Sequence, residues 1–373
     1  MKRIVVFVLF LVFYSCSADK KEEKIKEKIK IEKSFENNVM NFDKYFDSFE
    51  KIQIKNEVLG KIWRILVKDE KIFILTKSGK NRVYIYDRNK DTLIKIGKLG
   101  KGPNEFVSIR DFYIFNNKIN VLDFSKKRIL KFDFNGKFVN LIEFPIYCDR
   151  VLQLDNNNYV LFKKVKYKNS SEYKVNLYSE EKNKIVNEYL DLENIDEMRD
   201  FTQNTTLYYY NDTIRLFQTF SDKIFDIFKD KIKVKYLFDF GKYSLPNEIY
   251  NDSKLDLFKF VSKCRASSFV WAKNTFFENE RYSEFLFKYN NNNYLNLYDK
   301  YKDKSSSYQY FSDNLFSNIQ KGSFSLGFRP VFMNNNSFYF IIEPYYLIKQ
   351  TSKHVKNVSI NDNPIIVKYN FKK

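Results

Sequence analysis

From about residue 45 onward, apolar and polar positions alternate in short runs such as Lys71-Ile72-Phe73-Ile74-Leu75, Arg82-Val83-Tyr84-Ile85-Tyr86 and Lys118-Ile119-Asn120-Val121-Leu122. Period two sends successive side chains to opposite faces, which is the signature of antiparallel strands. Asn clusters at 156–158, 290–293 and 334–336 fall between such runs. Asn tolerates left-handed backbone, so these clusters predict hairpin tips. No long amphipathic helical pattern interrupts the body, and the fold class is all-β.

The strands repeat. Leu75–Asp87 reads as a strand, a turn and Arg82-Val-Tyr-Ile-Tyr-Asp87; Val121–Asp133 reads the same way and ends Arg128-Ile-Leu-Lys-Phe-Asp133, 46 residues further on. That offset suits a four-stranded propeller blade. Looser copies follow at Asp222–Asp226, Glu284–Tyr289 and Pro364–Tyr369. The expectation is a six-bladed β-propeller of four-stranded antiparallel blades near 58–98, 106–144, 148–192, 203–245, 262–302 and 324–372. Insertions at about 246–261 and 303–322 would be rim loops. A β-sandwich could use such strands, but repetition at blade length favours radial stacking, in which each sheet buries both faces. A strand near Phe46–Ile54 is a candidate to close the ring against the last blade, because an open propeller exposes two sheet edges.

The segment Gly97-Lys-Leu-Gly100-Lys-Gly102-Pro103-Asn104-Glu105-Phe106 resembles a signature of Bacteroidetes-type six-bladed β-propeller lipoproteins, relatives of the NHL-repeat propellers, where it links the first blade to the second. Asn211–Ile214 with Asp239–Lys242 and Leu245-Pro246 resembles that family's middle blade, and Asp362–Val367 its closing strand. The resemblance implies a fold and an envelope location far more than an activity. Physically, the Gly-Lys-Gly-Pro loop lacks the Lys-Ser/Thr and following helix of a phosphate-binding loop, and Pro103 removes a donor, so a tight inter-blade turn is expected.

The N-terminus changes the picture. Lys2 and Arg3 precede an apolar run, Ile4–Phe13, ending at Tyr14-Ser15-Cys16. This is the layout of a secretory signal, and the run is about half the ~20 residues a bilayer-spanning helix needs. Phe13-Tyr14-Ser15-Cys16 resembles a lipobox, which implies a signal peptide over 1–15 and lipidation at Cys16. Residues 16–33 then form a Lys/Glu-rich tether, and the propeller occupies 34–373. The implied location is the cell envelope, as an outer-membrane lipoprotein facing either side, attached to the membrane through its lipid.

Formal net charge is +19, and loss of Lys2 and Arg3 with the signal leaves +17. The excess is scattered Lys, suited to solvation or to attraction toward anionic lipids and polymers. No nucleic-acid motif occurs, and nucleic acid is not an expected partner. One histidine, His354, in a Lys-flanked insertion, leaves little room for His-based triads or metal sites, so neither a catalytic set nor a metal or other cofactor is expected. Cys148 and Cys264 are either paired or two buried thiols.

Arginine is the informative side chain. The chain has 53 Lys and 12 Arg, yet the starts of the expected inner strands carry Arg64, Arg110, Arg150, Arg265 and Arg329. Guanidinium suits places where a flat, permanent charge meets carboxylate or phosphate. Either these arginines brace the channel wall against acids such as Asp111 and Asp149, or they form a cationic ring for an anionic ligand. Trp63 and Trp271 are core residues or sugar-stacking platforms. The function expected is that of a monomeric, non-enzymatic binding or scaffold lipoprotein holding an anionic small molecule, glycan or peptide, or an envelope protein. The alternative is a lyase or hydrolase acting on an acidic glycan or peptide, with Arg holding carboxylates and a Tyr or Asp moving protons.

Overall fold

A computed structural model describes residues 27–31, 38–55, 57–77, 79–167, 171–192, 207–316, 319–349 and 358–373. The proposed signal peptide, Cys16 and His354 lie outside the described residues. The strands form radial sheets whose innermost members surround one axial cavity. From the axis outward, the first blade is Lys61–Lys68, Lys71–Lys77, Arg82–Asp87 and Thr92–Lys95. The second is Ile109–Phe115, Lys118–Asp123, Arg128–Phe132 and Phe138–Glu143. The third is Arg150–Gln153, Asn158–Phe162, Tyr173–Ser179 and Lys184–Asp191. The fourth is Leu207–Tyr210, Thr213–Phe217, Lys223–Ile227 and Ile232–Asp239. The fifth is Lys273–Glu278, Tyr282–Tyr289, Asn292–Asp299 and Lys304–Tyr308.

The last blade closes the ring. Phe328–Met333, Ser337–Ile342 and Ile365–Phe371 come from the end of the chain, and the outer strand Phe46–Ile52 comes from near its beginning. Phe46–Ile52 pairs antiparallel with Ile365–Phe371, Phe49 opposite Tyr369.

Among the described residues seven sheets have three strands or more, so the expected count of six blades is corrected to seven. The additional blade is three-stranded: Val39–Asn41, Tyr310–Asp313 and Ile319–Ser323. It replaces the rim loop expected over 303–322. Its Met40, Phe311 and Ile319 share one core with Leu286 and Leu295 of the fifth blade and Phe338 and Phe340 of the closing blade. It is a partial blade, because none of its residues lines the axial cavity.

Part of the segment expected to be a tether belongs to the folded body. Within residues 16–33, Glu27–Lys30 is a strand that adds in parallel to the outer edge of the fourth blade, and Ile29 and Ile31 are buried there. The insertion at 246–261 is helical: Asn247–Tyr250 is followed by Leu257–Arg265, capped by the Asp256 side chain, which accepts from the Lys259 N–H at 2.8 Å.

Stacking of blades explains why whole strands are apolar. In Lys71–Lys77, Ile72 and Ile74 enter the core shared with the closing blade, whereas Phe73 and Leu75 enter the core shared with the second blade. The Asn-rich tips form as expected: Asn290 and Asn291 have φ of 44° and 60°. The Gly-rich segment is an inter-blade turn. Gly97 has φ 61°, Lys98–Leu99 pairs in parallel with Glu105–Phe106, and the Glu105 carboxylate accepts from the Gly102 N–H at 2.9 Å.

Antiparallel blades give the molecule two faces. The upper face holds the connections leading into each inner strand and those joining second to third strands. The lower face holds the other hairpins.

Candidate functional site

The axial cavity, about 320 Å³, is walled by the inner strands of the six blades that reach the axis. Its wall is largely apolar and includes Trp63, Ile65, Leu152, Phe276 and Val331. Most of its polar groups are bonded, but the Tyr113 hydroxyl is buried with no hydrogen-bond partner. Tyr208 donates to Glu278 at 2.8 Å, and Tyr209 donates to the Gln153 carbonyl at 2.7 Å.

Charge concentrates at the upper mouth. Arg64 donates from one nitrogen to both oxygens of Asp111, at 2.7 and 2.9 Å, and Arg150 pairs with the same carboxylate. All three are buried, so three blades are cross-braced by one ion triad. Burial by itself would raise the Asp111 carboxyl, but Arg150 and Arg64 together hold it below its ordinary value. Beside it, half-exposed Arg110 pairs with buried Asp149 and lies over the Phe124 ring at 5.0 Å. Tyr167 donates to Asp149 at 2.9 Å, and the Lys164 N–H donates to the same carboxylate at 3.0 Å.

Lys77 ends the second strand of the first blade, with its ammonium 3.4 Å from the Trp63 ring centroid. Burial, followed by the positive charges of Arg150, Arg110 and Lys164, pushes its pKa down to about 8. Asp111 opposes this shift only partly. Burial is the larger cause, and the neighbouring cations add to it, so positive charge outweighs negative around Lys77.

The five arginines therefore divide. Arg64 and Arg150 are bracing groups, and Arg110 is at the mouth. Arg329 is buried against the wall, donating to the Ile62 carbonyl at 2.8 Å and pairing with Glu343 at 3.1 Å. Arg265 is corrected: it is exposed at the end of helix Leu257–Arg265, and the inner strand of its blade starts at Lys273, eight residues later. Lys273 is buried and reaches back to Asp222 of the fourth blade at 2.9 Å.

Trp271 is buried beneath that helix with Phe260 and Cys264, whereas Trp63 stands under Lys77. Cys148 and Cys264 are both buried, and burial drives the Cys148 thiol up.

Two clusters carry no local sequence signal. Lys77 belongs to a turn, Lys77-Ser-Gly-Lys, that reads as solvated. Glu278, buried at the end of the fifth inner strand, pairs with Arg215 of the fourth blade and with Lys300 at 2.8 Å, and it accepts from Tyr208 and Tyr236. Burial would raise its carboxyl, but Lys300 and Arg215 hold it low. This network lies beside a cleft of about 650 Å³ between the fourth and fifth blades.

These features define a β-propeller with an apolar axial cavity and a cationic upper mouth. The sequence matches the family described as a domain of unknown function, DUF4934, over residues 26–370, and the chain belongs to that family. No curated protein matches. A protein of Bacteroides fragilis described as exported has a similar fold: 17% identity, TM-score 0.70, covering 93% of this chain and 100% of that one. A member of the DUF4221 family from Bacteroides vulgatus is similar at 9% identity and TM-score 0.50, covering 88% of this chain and 97% of that one.

Proposed function

We propose that this protein is a non-catalytic binding protein of the cell envelope, exported and held by a lipid on Cys16, which takes an anionic ligand at the upper mouth of its propeller. The observation that carries this reading is the crowding of Lys77, Arg110, Arg150 and Lys164 around two carboxylates, Asp111 and Asp149, at one end of an apolar cavity. A carboxylate or phosphate placed there offsets the repulsion that adds to burial in depressing Lys77. The ligand's apolar portion fits the cavity below. Export is supported by the Lys2–Cys16 pattern and by the description of the B. fragilis neighbour.

The alternative of a lyase with a tyrosine base is disfavoured by Tyr167, the tyrosine best placed among these cations. Burial and the Asp149 carboxylate raise its phenol, the opposite of what a base needs.

The test is calorimetric titration of a chain beginning at Ser17 with acidic and neutral sugars, short peptides and aromatic carboxylates, beside Lys77→Ala and Arg110→Ala. Acidic ligands bind, and each variant weakens them by roughly 10-fold, Lys77→Ala without shifting thermal unfolding, as expected for loss of a charge-assisted contact. Equal binding of acidic and neutral ligands, or no effect of either variant, overturns the reading.

A further inference from the structure

The two faces differ in more than the mouth. Ten large apolar side chains are exposed among the described residues, and seven of them lie in upper-face connections. Phe258 is 86% exposed, Val58 80%, Ile360 68% and Leu326 67%, with Ile348 and Tyr345 side by side on the short helix Pro344–Lys349. The lower-face hairpins carry one, Tyr301. Single exposed apolar residues are ordinary; here seven of the ten belong to the connections of one face, spread around its rim.

Charge divides the same way. Among described residues classed as exposed, the upper connections hold ten Lys or Arg against three acids, Glu172, Glu248 and Asp256. The lower hairpins hold six Lys against nine Asp or Glu. The molecule is therefore polarised along its axis, with loop tips that are apolar and cationic together on one side.

We infer that the upper face docks on an anionic phospholipid surface, with Phe258, Leu326 and Ile348 entering the headgroup region and the surrounding Lys and Arg neutralising lipid phosphates. Apolar tips alone would suit many partners. Their mixture with a cationic surround is complementary to a bilayer interface, where apolar burial and attraction to acidic lipids add. Reach is consistent: Glu27 pairs with Tyr236, three residues from the upper end of its strand at Asp239, about 10 Å. The eleven residues from Cys16 to Glu27 extend to as much as ~38 Å, so a lipid on Cys16 can enter the same bilayer. The mouth then faces the membrane surface.

The experiment uses a chain beginning at Ser17, which keeps every described element and carries no acyl group. Vesicles of phosphatidylcholine alone are compared with vesicles in which about a third of the lipid is phosphatidylglycerol, by sedimentation at low and high salt. The parent chain binds the acidic vesicles, more weakly at high salt. A Phe258→Ser, Leu326→Ser, Ile348→Ser variant loses at least roughly 10-fold in partitioning, whereas Tyr301→Ser on the lower face matches the parent. Phe258→Trp reports insertion directly, its fluorescence being quenched by brominated acyl chains. The triple variant keeps the parent's affinity for an acidic ligand at the mouth, so this inference and the mouth ligand fail separately. Absence of binding to acidic vesicles overturns the inference. So does unchanged binding of the triple variant with an unquenched Phe258→Trp, which would mark a purely electrostatic surface for an acidic protein or polymer.

Discussion

Arg64 and Asp111 sit on adjacent blades, 47 positions apart, and one guanidinium nitrogen contacts both carboxylate oxygens in a site that excludes solvent. Arg150 completes the triad from the third blade. Removing the shared acid leaves two buried cations facing each other. Asp111→Ala is expected to cost roughly 3–5 kcal/mol in urea unfolding, because an uncompensated buried charge is far worse than a missing pair. Loss under 1 kcal/mol would show that water reaches the triad.

Glu284 is the opposite case. It is wholly buried, and only one of its oxygens has a partner, Thr275 at 3.3 Å. Burial raises its carboxyl well above the ordinary value, and the Thr275 contact opposes this only partly. The folded chain thus holds a proton that the unfolded chain releases from about pH 4.5 upward, and stability falls as pH rises from there. Glu284→Gln removes this titration. Its thermal midpoint should gain on the parent between pH 4.5 and neutrality, with little difference at pH 4; parallel curves would show Glu284 ionised in the native state.

Lys77 titrates near 8, so the positive charge of the upper mouth should fall as pH passes that value. Affinity for an acidic ligand is expected to decline from pH 7 to pH 9. In Arg110→Ala the Lys77 midpoint should move upward, because one of the cations depressing it is gone. Chemical-shift titration of Lys77 reads both effects.

A methyl group at Gly97 would lie 2.4 Å from the Phe106 ring, on backbone with φ of 61°. Gly97→Ala should therefore destabilise the chain by ~1 kcal/mol or more. Gly79→Ala shares the positive φ but meets no atom within 4 Å, so it isolates the backbone contribution. Equal losses in the two would show that the Phe106 contact relaxes freely.

Most blades were legible because short apolar runs such as Lys71–Lys77 recur between turns at blade length, although that strand buries both faces rather than one. The pairing of Phe46–Ile52 with the last blade was only a candidate in the sequence, favoured by the need to close an edge. The partial blade was not visible: Tyr310–Asp313 and Ile319–Ser323 are four and five residues long, and the second reads Ile-Gln-Lys-Gly-Ser, with no apolar alternation. Arg265 was misplaced for a related reason, since helix Leu257–Arg265 lengthens the connection before Lys273. Among the mouth residues, Arg110 and Arg150 stood out by residue type. Lys77 did not, because its character comes from neighbours 33 to 87 positions away that only the ring brings together.

The ring's seam joins Phe46–Ile52 to Ile365–Phe371, strands more than 300 positions apart. A chain being synthesised or threaded through a translocon from its N-terminus therefore cannot finish its circle until nearly all of it has emerged. Until then the outer strand of one blade waits without a neighbour, and the seam acts as a late checkpoint that separates complete chains from truncated ones.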